Sequence, residues 1–249
     1  MTGAVWITGA SSGIGRALAL ELAKRGRTVA ASARRREELE RLAAEAPPGR
    51  IAPFPVDVSD AAAMARVATA IEAAIGPLDL AVFNAGTHDP VAVDAFDPAR
   101  FRRLMDINYM GAVNGIAAVV RGFIARRSGH VAVVSSVAGY RGLPQAAAYG
   151  PTKAALINLC EALKPDLDRH NVRISVINPG FIRTPLTDRN DFPMPFLMEA
   201  DEAARRIVAG LDAGTFEITF PRRFTFMLKL ARMLPYSLYF ALVKRSTGR

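Results

Sequence analysis

The sequence predicts a doubly wound α/β fold, one domain with a seven-stranded, mainly parallel sheet and helices on both faces. Three observations carry this. Short β-rich runs alternate with longer helical patterns along most of the chain. The first six runs are near-continuous apolar stretches, as strands covered on both faces must be. A glycine-rich turn, TGASSGIG at residues 8–15, separates the first run from the first helical pattern, and right-handed crossovers then distribute helices to both sides.

Taken in order, AVWIT (4–8) is the first strand and ends in that turn, whose three glycines let backbone N–H groups approach a ligand while the next helix aims its positive end at the same point. TVAASA (28–33), IAPFPV (51–56) and LDLAVF (78–83) follow, each before a helix or crossover. HVAVVS (130–135) and VRISVI (172–177) continue the series, and FEITF (216–220) is the one run without a long helical partner inside the core pattern. Ligands in such sheets bind beyond the carboxyl ends of the strands, where TGASSGIG lies.

Length and composition fit one domain, residues 1–220, with 221–249 as a basic amphipathic extension packed on it. The chain has 249 residues and 51% hydrophobic side chains, enough for a full core. A single cysteine, Cys160, excludes an intrachain disulfide and suits a reducing compartment. His88, His130 and His170 are scattered, so no metal site is expected. The N-terminal residues show no basic segment before an apolar one, which leaves the cytoplasm as the expected location. The net charge of +9 is concentrated in the tail, where Arg222, Arg223, Lys229, Arg232, Lys244, Arg245 and Arg249 occur without an acid. No nucleic-acid-reading motif accompanies them, and nucleic acid is not an expected partner.

The second strand ends in SARRREEL. An acidic residue at that position would accept bonds from a ribose 2′-hydroxyl, whereas Arg34 and Arg35 suit a 2′-phosphate. The alternative is a solvated helix start, although cations there oppose the helix dipole. Further on, Tyr149 and Lys153 stand four apart at a helix start, on one helical face, with Ser136 thirteen residues before the tyrosine. An ammonium beside a phenol favours the phenolate and is expected to lower its pKa. Ser136, at the carboxyl end of the fifth strand, is placed to hold a carbonyl oxygen that gains negative charge. Each piece alone also suits ordinary packing or a turn.

Together these residues resemble the short-chain dehydrogenase/reductase family over about residues 3–220. The glycine motif corresponds to Thr8, Gly9, Gly13 and Gly15, the Asn-Ala-Gly motif to Asn84, Ala85 and Gly86, and the catalytic set to Ser136, Tyr149 and Lys153. The resemblance implies a Rossmann-like fold. It also implies a dinucleotide held at the turn by Gly9, Ser11, Ser12, Gly13, Ile14 and Gly15, and at its adenosine half by Asp57, Val58, Asn84, Ala85 and Gly86. Tyr149, Lys153 and the stretch NPGFIRTP, with Pro179, Gly180, Ile182 and Thr184, would meet the nicotinamide half. Asn108 in MDINYMG would be the family's helix-bending asparagine, serving a proton path to Lys153. The implied activity is reduction of a carbonyl, or oxidation of the alcohol, with NADP(H) favoured over NAD(H) by Arg34 and Arg35. The implied assembly is a homodimer or homotetramer.

Two departures stand out. Ser12 replaces the base that some NADP-using relatives carry before the second glycine, so cofactor preference rests on Arg34 and Arg35. Pro165 falls well inside the helix begun by Tyr149, where a kink is expected, while Pro151 sits in its tolerant first turn. The stretch TPLTDRNDFPMPFLM (184–198) offers adaptable apolar area and favours an apolar carbonyl substrate. Arg183 and Arg189 are its candidate anion contacts; His88, which follows the Asn-Ala-Gly motif, could line the cleft, but a solvated loop residue is expected. The tail, with Pro235 between two short helices, allows three readings: a cap over the cleft or a partner subunit, an amphipathic patch on anionic lipid, or packing on its own domain. A different class of function, an NADP(H)-binding scaffold or redox-sensing regulator with little turnover, would have the same fold but no need of the tyrosine.

Overall fold

The computed structural model describes residues 3–189 and 194–247. Phe192, Pro193 and Arg249 lie outside the described residues, as does the side chain of Arg189. Seven strands form one sheet: β1 (Ala4–Thr8), β2 (Val29–Ser32), β3 (Ile51–Pro53), β4 (Leu78–Phe83), β5 (His130–Val134), β6 (Arg173–Pro179) and β7 (Glu217–Phe220). Their order is β3-β2-β1-β4-β5-β6-β7. Every pairing is parallel, so the sheet is parallel throughout rather than mainly so. The chain reverses its direction of progress between β1 and β4, which makes the carboxyl ends of these two strands the switch point.

The apolar runs are explained by two cores, one on each face. Val5 and Ile7 of β1, Leu80 and Val82 of β4, and Ala132 and Val134 of β5 join the first core. Their alternates Trp6, Ala81, Phe83, Val131 and Val133 join the second. Leu18 and Leu22 of α1 (Gly13–Lys24), Leu39 and Leu42 of α2 (Arg36–Glu45), and Ile207 and Leu211, later in the chain, cover the first face. The second is covered by α3 (Ala61–Ile75), which supplies Met64 and Ile71. Past α4 (Pro98–Leu104), α5 (Gly111–Arg126) adds Ile116 and Phe123, and α6 (Tyr149–Arg169) adds Leu156.

Between α4 and α5 the helix widens into a π-helical segment, Met105–Met110. Helix α6 runs through Pro165 to Arg169 without ending there. Pro165 and Glu161 are both exposed, so the carbonyl that loses its helical partner can be solvated. Ile207 and Leu211 belong to α7 (Ala200–Asp212), and the tail forms α8 (Arg222–Met233) and α9 (Tyr236–Thr247), with the break at Pro235 as expected.

The amino ends of the strands are tied together by polar groups. Gly3 N–H donates to Asp79 Oδ2 at 2.7 Å, and Arg27 bonds both the Gly3 carbonyl and Asp79. His130, fully buried, meets Ser175 Oγ at 2.8 Å, and that hydroxyl donates on to the Thr215 carbonyl. The carboxyl ends, by contrast, lead into the site.

Candidate active site

The corner after β1 is built by close backbone approach. Gly9 has φ +69°, and a Cβ there would lie 2.7 Å from the Ala85 Cα. Thr8 Oγ1 accepts from the N–H groups of Asn84 and Ala85, at 3.1 and 3.2 Å, and Asn84 Nδ2 donates to the Thr8 and Gly9 carbonyls. Asn84 is therefore a strut between the ends of β1 and β4. Ser12 precedes α1 in extended conformation with no side-chain cap, and the first turn carries no acid. The unpaired first-turn N–H groups and the helix dipole thus face the loop of Ser11 and Ser12, a cradle that fits a pyrophosphate.

Ser136, Tyr149 and Lys153 converge beyond β5. Ser136 Oγ accepts from the Ala138 N–H at 3.1 Å and stands near the Tyr149 hydroxyl, and Lys153 Nζ lies 5.5 Å from the centre of the Tyr149 ring. Lys153 is buried and donates to the Val134 carbonyl at 3.0 Å. Gly139 permits this: a Cβ there would stand 2.7 Å from the Lys153 carbonyl carbon, so the turn after Ser136 presses directly on α6. Gly86 brings the Asn-Ala-Gly motif alongside, since its Cβ position is 3.3 Å from Asn108 Oδ1 and 3.5 Å from Lys153 Nζ.

The electrostatics correct one expectation. Burial pushes the Tyr149 phenol up to about 12, and nearby Ser136 only opposes that rise. Burial also lowers Lys153 to about 8. Desolvation of the phenolate prevails, so the tyrosine holds its proton more tightly than a free phenol.

Asn108 is buried in the π-helical segment. Its Oδ1 accepts from the Thr87 N–H at 2.7 Å, and its Nδ2 donates to the Thr87 carbonyl and to Thr152 Oγ1. This amide clamps the loop after β4 to α6, and a π-turn of this kind commonly marks a functional site.

On the adenosine side, Arg34 and Arg35 are exposed at the end of β2. The Asp57 carboxylate accepts from the Ser59 hydroxyl and N–H, at 2.7 and 2.9 Å, which with the nearby Arg34 holds its pKa below the ordinary value. Val58 is buried beneath Gly111. On the nicotinamide side, Pro179 ends β6 and Gly180 meets the Phe220 carbonyl. Ile182 is buried, and Thr184 packs 3.0–3.2 Å from where a Gly13 Cβ would be, closing the loop onto the glycine corner. Ile14 and Gly15 sit in the first turn of α1, where Gly15 touches the Gly9 carbonyl. Arg183 is engaged by Glu199 at 2.8 Å, with both side chains exposed.

Sequence reasoning missed several participants. His88, for which solvent was the expected place and the cleft the alternative, stacks edge-on against Tyr149 with ring centres 4.8 Å apart. Ser135 Oγ donates to the Lys153 carbonyl at 2.7 Å, and Thr152 and Thr87 anchor Asn108. The Ser-Ser pair and the Thr one residue before Lys153 were the available signals. His88 gave none beyond its position after Asn-Ala-Gly.

A family model described as short chain dehydrogenase matches residues 3–192. An uncharacterized oxidoreductase of Myxococcus xanthus is 40% identical over 96% of this chain and 95% of its own length. A 3-oxoacyl-(acyl-carrier-protein) reductase of Thermotoga maritima is 33% identical, covering 74% of this chain and 75% of its own. Among solved structures, a short-chain dehydrogenase from Streptomyces avermitilis superposes with a TM-score of 0.85 at 25% identity, over 98% of this chain and 96% of that one. A short chain dehydrogenase/reductase from Burkholderia phymatum in complex with NAD reaches the same TM-score at 22% identity, covering 92% of each chain. With the glycine corner and the Ser136, Tyr149 and Lys153 cluster in place, the chain belongs to the short-chain dehydrogenase family, oxidoreductases that act between CH–OH and C=O groups with NAD(P)(H).

Proposed function

We propose that the protein is an NADPH-dependent reductase of an apolar carbonyl compound. The observation that carries this is the convergence of Ser136, Tyr149 and Lys153 beyond β5, with the buried Lys153 Nζ 5.5 Å from the centre of the Tyr149 ring. When bound, the nicotinamide supplies the hydride to the carbonyl carbon. Tyr149 donates its proton to the carbonyl oxygen, and Ser136 hydrogen-bonds that oxygen as charge develops. Lys153, buried beside the ring, stabilises the phenolate left behind. Asn108 keeps the loop carrying Gly86 against α6, so that these groups stay in register.

NADPH is favoured because the end of β2 presents Arg34 and Arg35 where an acid would select a 2′-hydroxyl. An apolar substrate is favoured by the loop after β6, where the rings of Phe181 and Phe196 each lie 5.7 Å from Phe224 of α8. The Thermotoga relative's name points to a carbonyl of this kind. Assembly as a homodimer or homotetramer through the helices that carry Asn108 and Tyr149 belongs to the same reading. The test is loss of NADPH absorbance with a panel of apolar ketones, aldehydes and quinones, using sugars and small acids as the comparison. Faster turnover of the apolar carbonyls is expected. NADPH consumption by none of them, or only by the polar set, would contradict the reading.

A further inference from the structure

We propose that α8 and α9 form a docking surface for an anionic lipid bilayer. The inner side of this pair is fixed to the domain. Thr225 is buried, Phe224 and Leu228 pack against the second core, and Lys229 pairs with Glu217. Arg141, just past the turn after Ser136, donates to the carbonyls of Ala231, Arg232 and Leu234 at 2.8–3.0 Å and lies 3.9 Å over the Tyr239 ring. Tyr239 in turn donates to the Gly142 carbonyl at 2.6 Å. The corner between the helices is thus a fixed part of the fold.

The outer side is apolar and uncovered. Phe226, Met227, Leu230 and Met233 of α8 are 46–75% exposed, and Leu238 and Phe240 of α9 are 57% and 56% exposed. Spacings of three and four place Phe226, Leu230 and Met233 on one helical stripe. The same two helices carry six described cations and no acid, and of these only Lys229 is neutralised by an acid of the domain.

This charge pattern selects the occupant. A two-fold pairing of the patch with itself would gather the cations of both copies at one interface to which the two helices bring no acid. An anionic membrane surface neutralises them while its acyl boundary takes up the aromatic and Met side chains. Each helix has twelve residues, about 18 Å long, well short of a bilayer's hydrocarbon core. The helices therefore lie in the interface plane. Phe196, 51% exposed and near Phe224, places the loop after β6 beside that plane.

The test is co-sedimentation of the full chain with vesicles of phosphatidylcholine alone or containing about one third phosphatidylserine, with protein alone as the blank. It reads binding only, so it does not depend on the proposed reductase activity. Pelleting with the anionic vesicles, weakened by high salt, is expected. Replacing Arg222, Arg223, Lys244 and Arg245 with Gln should lower partitioning by about fivefold for each cation that nears the surface. Replacing Met227, Leu230 and Met233 with Ser should abolish pelleting while leaving the native mass unchanged. Equal pelleting with neutral vesicles, no pelleting above the blank, or an unaltered Gln variant would overturn the proposal. A drop in native mass on the Ser substitutions would instead make the patch an interface between copies. The Gln variant, altered only at exposed positions, decides the matter if the Ser variant does not fold.

Discussion

The two ends of the same parallel sheet both carry polar side chains, but they are arranged to opposite effect. At the amino ends, Asp79 pairs with Arg27 and the Gly3 N–H, and His130 with Ser175, while Arg27 Nε and His130 Nδ1 are buried without a partner among the described residues. At the carboxyl ends, Ser136, Tyr149 and Lys153 are drawn together beside the glycine corner, and burial moves the phenol and the ammonium away from their ordinary pKa values. Pairs of the first kind tie one strand to the next and hold the fold. Clusters of perturbed groups at a cleft serve chemistry, because that is where a proton's affinity has to be tuned. Changes at one end should therefore cost activity, and changes at the other should cost stability.

The largest expected separation comes from Lys153→Met. Turnover should fall about 10²- to 10⁴-fold, while thermal stability holds or rises because a buried cation is removed. Unfolding of this variant at ordinary temperature would erase the distinction between the two ends.

The opposite effect is expected from His130. Burial, with Arg173 nearby, lowers its pKa from 6.5 to about 4, so the folded state keeps the ring neutral while the unfolded chain takes up a proton. Its contribution is complete above pH 6.5 and is lost as pH falls towards 4, a change of about 3 kcal/mol. Urea midpoints followed by the fluorescence of fully buried Trp6 measure it, and His130→Gln should flatten that part of the pH curve without altering activity at neutral pH.

A smaller, selective effect belongs to the exposed end of β2. Replacing Arg34 and Arg35 with Ala should raise KM for NADPH about 10- to 100-fold and leave that for NADH unchanged. An equal rise for both cofactors would mean that the arginines do not read the 2′-phosphate.

The strands, the two-faced burial and the Ser136, Tyr149 and Lys153 grouping were legible in the sequence because each depends on local period and spacing. The direction of the Tyr149 shift was not. An ammonium four residues away argues for a lower pKa, whereas the desolvation that prevails depends on how Val91, Leu104 and His88 pack around Tyr149 from other parts of the chain. Arg183 shows the same limit, since its pairing with Glu199 depends on how the loop after β6 returns to α7. The tail's helices and the break at Pro235 were legible, but its attachment through Arg141 was not, because a lone arginine in a loop has no period to betray its partner.

The most direct test of the central claim is Tyr149→Phe, with NADPH affinity and carbonyl turnover measured on the same preparation. Removal of one hydroxyl should leave NADPH binding nearly intact and reduce turnover by about 10³-fold or more. Turnover at the wild-type rate in that variant would show that some other group delivers the proton and would contradict the account.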